Sequence, residues 1–83
     1  MTDDQFDLID ELYFVQDFDY LRDAMSWEDG HILDVLQSLL DEGWVKVLKG
    51  PDEELFGEID LKSDGTSLMY LATKEGLMKH NMG

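Results

Sequence analysis

Cysteine is absent from this 83-residue chain, which excludes a disulfide framework, a thiolate metal site and a cysteine nucleophile. Proline occurs once, in the turn-forming stretch "GPDE" at 50–53. Positive charge is scarce: six Lys and Arg stand against twenty Asp and Glu, a formal net charge of -14 that works against polyanionic partners. No apolar run approaches the roughly 20 residues of a membrane span, and the acidic opening "MTDDQFDLID" lacks the basic region of a secretory leader. These absences lead to the expectation of a soluble, unprocessed, cytoplasmic protein with no membrane partner. With 43% hydrophobic residues, 83 residues suit one small domain spanning 1–83.

What is present is a sequence of capped amphipathic segments followed by strand-like ones. Thr2 with Gln5 resembles a capping box, and Phe6, Leu8, Ile9, Leu12 and Tyr13 follow at helical spacing, which predicts a first helix over about 3–15. A shorter helix is expected at "FDYLRDAM". Ser26 with Asp29 reads as the cap of a third helix over about 27–42, whose apolar face is Ile32, Leu33, Leu36, Leu39 and Leu40. Gly43 stands where a helix ends in a left-handed residue, and "WVKVLK" follows with β character. "LFGEIDL" at 55–61 alternates roughly as a strand would, with Gly57 marking a bulge or a close backbone approach. Asp64-Gly65 is a two-residue hairpin signal before "TSLMYLA", and Thr73 suits the cap of a closing helix, "KEGLMKHNM".

Leu36, Leu39, Gly43 and Val45 resemble the "L-x-x-L-x-x-x-G-x-V" passage of the winged helix-turn-helix family. "YLATKEG" is similar to that family's "Y-x-L-T-x-x-G" passage, with Ala72 in place of the usual leucine. The resemblance covers nearly the whole chain. It implies an α+β winged-helix domain: three helices, a two- or three-stranded antiparallel sheet and a short C-terminal helix. In DNA-binding members of the family the third helix enters the major groove, and nearby cations hold phosphates. Here residues 26–43 contain Glu28, Asp29, Asp34, Asp41 and Glu42 but no Lys or Arg. The turn "GPDEE" is also acidic.

Catalytic and metal chemistry find little support. No nucleophile stands beside a plausible base, and no glycine-rich loop is built to cradle phosphate. His31 and His80 are far apart and lack cysteine partners, whereas Asp52, Glu53 and Glu54 read as a solvated turn. No cofactor or metal is expected, and the chain is expected not to be an enzyme. Acidic runs are usually solvated faces, and aromatic residues usually pack inward. Even so, Phe14, Tyr20, Trp27 and Phe56 fit the inward faces least well, which suggests an apolar patch at a protein interface.

The sequence therefore favours a non-enzymatic regulatory or protein-interaction module. Its partner would be a protein that is basic or offers an apolar groove, with a homodimer also compatible. The expected partner-binding residues are Trp27, His31, Asp34, Ser38, Asp41 and Trp44, the polar ones lying on the helix face opposite the leucines. The alternative is a DNA-binding transcriptional regulator that uses Lys46, Lys49 and Lys62 from strands and wing. An acidic imitation of DNA is a third reading.

Overall fold

The computed structural model describes residues 1–82. Helix α1 (Asp3–Asp10) opens with the expected capping box: Gln5 N–H donates to Thr2 Oγ1 at 3.1 Å, and Thr2 N–H donates to Gln5 Oε1 at 2.9 Å. Asp3 and Asp4 occupy its first turn, where the helix dipole favours negative charge. The helix is shorter than the apolar spacing implies. Leu12 is fully buried and its carbonyl accepts from Ala72 N–H at 2.9 Å, and the chain then pairs β1 (Gln16–Asp17) with Tyr70 and Met69. A short strand thus separates the first two helices, so the expectation that three helices precede the sheet is corrected.

Helix α2 (Phe18–Met25) has the expected bounds, and the side chain of Asp17 accepts from Tyr20 N–H at its start. Ser26 does not cap the next helix. It ends α2 in the left-handed region at φ 56°, and α3 (Asp29–Asp41) begins after Glu28 with no side-chain cap. The reason lies in Arg22, whose guanidinium grips Asp29 through two bonds of 2.8 and 2.9 Å and Asp19 through one of 2.7 Å. That grip holds the Asp29 carboxyl below its ordinary value and Arg22 above its own.

On α3, Ile32, Val35, Leu36 and Leu39 are buried, whereas Leu33 and Leu40 are only half-buried. Gly43, at φ 77°, makes the left-handed turn into β2 (Val45–Gly50). Four antiparallel strands form the sheet in the order β1-β4-β2-β3, with β3 at Glu53–Leu55 and β4 at Met69–Ala72. Val45 opposes Ala72 and Val47 opposes Tyr70, and all four side chains join the core. Lys46 and Leu71 alternate to the other face.

Of residues 55–61, whose alternation is only roughly strand-like, Leu55 alone lies in a strand, at the end of β3. The chain leaves the sheet after Leu55, turns at Gly57, and makes a short helix α4 (Leu61–Asp64) and a 3-10 turn (Gly65–Ser67) before β4. The bulge lies in β2 between Leu48 and Gly50, not at Gly57. Asp64-Gly65 is no hairpin: Gly65 has φ -58°, and a Cβ there would collide with Leu33 Cδ2. Its glycine serves close packing of the 57–67 excursion on α3. Helix α5 (Lys74–Met82) closes the fold, with Thr73 Oγ1 accepting from Gly76 N–H at 3.0 Å and donating to the Gly43 carbonyl at 2.7 Å.

The architecture is α+β, with five α-helices and one antiparallel sheet among the described residues. The core joins Leu8, Ile9 and Leu12 of the α1 region, Phe18 and Leu21 of α2, the inner face of α3, and Tyr70. Each such side chain contributes about 1.5–3 kcal/mol on leaving water. No helix among the described residues is long and apolar enough to cross a membrane.

Candidate functional site

The excursion after β3 determines what α3 can present. Leu61 is fully buried, and its N–H donates to Gln37 Oε1 at 3.0 Å, while Gln37 Nε2 donates to Asp41 Oδ1 at 3.1 Å. Gln37 therefore pins the excursion alongside α3. Between them runs an open groove of about 810 Å3. Leu33, Leu40 and Ile59 are the apolar residues that line it, each partly buried against the core below. Asp34 and Asp41 line the α3 side, and Glu58 and Asp60 line the other. Lys62 is the only cation along it among the described residues, and it pairs with Asp34 at 3.9 Å.

The structure divides the residues expected to bind a partner. Asp34 and Asp41 lie in the groove. Ser38 does not share it: its Oγ accepts from Gln5 Nε2 at 3.0 Å and donates to the Val35 carbonyl at 2.7 Å, tying α3 to α1. His31 also turns to α1, with Nε2 2.7 Å from Asp4 Oδ2, and Trp27 packs edge-on to its ring at 4.7 Å. The face opposite the leucines is therefore narrower than helical spacing alone suggests, because α1 covers part of it. Trp44 stands apart, half-buried beside α5, its carbonyl accepting from Thr73 N–H at 2.9 Å.

The lysines proposed for DNA are partly engaged. Lys46 Nζ lies 3.5 Å from Glu54, Lys62 is paired as described, and Arg22 is held by Asp19 and Asp29. Lys49 is exposed, with no carboxylate within 4.0 Å among the described residues. Such exposed pairs are worth only about 0–1 kcal/mol each, but they cancel the field that phosphate would otherwise meet. No group of three or more His, Asp or Glu placed to hold a metal ion occurs among the described residues.

Leu33, Gln37, Leu40, Glu58, Ile59 and Asp60 were not singled out as site residues by the sequence pattern. One signal was available: the doublets Leu33-Asp34 and Leu40-Asp41 recur seven residues apart, so they align on one helical face. The far wall carried no such signal, since nothing local says that residues 57–62 fold back on α3. Of the aromatics expected to form an interface, Phe14 and Phe56 are 78% and 81% exposed and Tyr20 is 42% exposed, but Trp27 is partly buried. Phe14 precedes β1 and Phe56 follows β3, the two opposite edges of the sheet, so they make no single patch.

No protein-family model, curated protein or solved structure matches the chain.

Proposed function

We propose that this chain is a winged-helix-type domain adapted to bind a protein rather than a DNA duplex, and that it docks a basic partner in the groove beside α3. Two features support the scaffold: α3 turns at Gly43 into β2, and β2 pairs with β4. The short strand β1 between the first two helices and the α4 excursion are additions to that pattern. One observation carries the functional choice. The side of α3 left open by α1 carries carboxylates and faces a wall of the chain's own acidic residues, Glu58 and Asp60.

A duplex approaching this face would meet four carboxylates and one paired lysine. At physiological ionic strength the screening length is about 8 Å, so groups lining the groove itself are not muted. The domain acts without catalysis, by recognition alone.

Duplex binding by the full chain, followed by fluorescence anisotropy across a salt series, tests the proposal. The expected result is no binding at about 0.15 M salt. Reversing charge with Asp34→Lys and Asp41→Lys should create weak binding that fades steeply with salt, by a slope of about -0.9 per neutralised phosphate. Specific duplex binding by the unmodified protein, abolished by Lys46→Ala and Lys49→Ala, would overturn the proposal and establish a DNA-binding regulator.

A further inference from the structure

The groove also has features that select the form of its occupant. Leu33, Gln37 and Leu40 follow one another at i, i+4 and i+7 along the open strip of α3, spanning about 10.5 Å at 1.5 Å per residue. That spacing is the seam along which a second helix packs at a shallow crossing angle. The α3 wall offers no strand edge: the helix has satisfied its own backbone, and the Leu61 N–H beside it is already taken by Gln37. An extended segment laid along α3 would gain no ladder of hydrogen bonds from it and would leave backbone groups against Leu33 and Leu40. A helix brings its backbone already paired.

Charge identifies the flanks of that helix. Carboxylates lie on both sides, Asp34 and Asp41 along α3 and Glu58 and Asp60 opposite, so a guest with an apolar stripe between two cationic edges matches the groove across its width. A second copy of this chain fits poorly, since each copy carries a net charge of -14.

We infer that the groove between α3 and residues 57–62 takes an amphipathic α-helix with apolar residues at i, i+3, i+4 and i+7 and Lys or Arg along both flanks. The inference rests on the protein-docking function proposed above and specifies the partner's shape and charge.

Three synthetic peptides of identical composition, rich in Leu, Lys and Arg, separate the possibilities when titrated into the isotope-labelled full chain at about 0.15 M salt. One has the stated helical pattern, one carries the same pattern interrupted by central prolines, and one is scrambled, with prolines placed at the ends of the first and third. The helical peptide should shift the amide signals of Leu33, Gln37, Leu40 and Ile59 and bind at least about tenfold more tightly than the interrupted one, a difference of about 1.4 kcal/mol. Asp34→Lys with Asp41→Lys should weaken it about tenfold or more, and Glu58→Lys, on the opposite wall, should weaken it independently. Spectral dispersion confirms that each variant folds. Equal binding of the interrupted peptide at the same residues would overturn the helical guest while leaving protein docking intact. Shifts confined to other surfaces, equal binding of the scrambled peptide, or no binding by any peptide would overturn the inference, and duplex binding in the preceding test would overturn the docking function itself.

Discussion

Gly76→Ala sets two opposing effects against each other at one atom. Alanine in place of glycine within a helix is ordinarily stabilising by about 0.5–1 kcal/mol. At Gly76, however, the added Cβ would fall on the backbone of Trp44, 2.9 Å from its carbonyl carbon and 3.1 Å from its Cα, with the carbonyl oxygen nearer still. Those atoms cannot swing aside as a side chain would. Trp44 N–H donates to the Leu39 carbonyl at 2.9 Å, and the Trp44 carbonyl accepts from Thr73 N–H at 2.9 Å. Helix α5 must therefore move away, which strains or breaks the Thr73–Trp44 bond. Overpacking of this kind costs about 1–3 kcal/mol, and the hydrogen bond about 0.5–1.5 kcal/mol more. After subtracting the helix-propensity gain, the net expectation is destabilisation by about 0.5–4 kcal/mol, and the middle of that range lowers Tm by on the order of 10 °C for a domain of this size. Gly30→Ala is the internal control. Gly30 lies in the first turn of α3, its φ is not positive, and nothing lies within 4 Å of the added Cβ, so this substitution should raise Tm by a few degrees. Thermal unfolding followed by circular dichroism on the two variants decides the matter. A Tm for Gly76→Ala equal to or above that of the unmodified protein would refute the packing of α5 on Trp44.

Leu36→Ala, at a fully buried position of α3, should cost about 2–5 kcal/mol in chemical denaturation, and a loss below about 1 kcal/mol would contradict its place in the core. Tyr70→Phe removes a buried bond of 2.6 Å to the Gly65 carbonyl and should cost about 1–3 kcal/mol. Burial pushes the Tyr70 phenol above its ordinary 10.0, so the unfolded state loses this proton first. Stability tied to Tyr70 is therefore fully present below pH 10.0 and falls as pH rises beyond it, and absorbance titration should show one tyrosine that ionises only with unfolding. His80→Ala removes a ring stacked 4.1 Å from Phe6 and bonded at 2.8 Å to the Tyr13 hydroxyl, and should cost about 1–2 kcal/mol with faster hydrogen exchange in α5 than elsewhere. Chelator should leave Tm unchanged, and a marked drop would reveal a metal coupled to folding.

The sequence by itself determined those features whose causes lie within a turn or two of chain. The Thr2–Gln5 capping box, the bounds of α2, the left-handed Gly43 after α3 and the Thr73 cap of α5 depend on local backbone demands, and each was legible in the residues. The strand β2 and the burial of Ile32, Leu36 and Leu39 were legible for the same reason, since periodicity places apolar side chains on one face. Tertiary structure decided wherever a distant group outbid the local signal. Arg22 drew Asp29 out of the cap that Ser26 seemed to begin, β4 captured residues 16–17 that helical spacing would have continued toward, and Leu33 packing against Gly65 replaced the hairpin suggested by Asp64-Gly65. The groove followed the same division. Its α3 wall was written in the Leu-Asp doublets, whereas its second wall exists only because Gln37 and the buried Leu61 fold residues 57–62 back across α3, a contact between segments 24 residues apart.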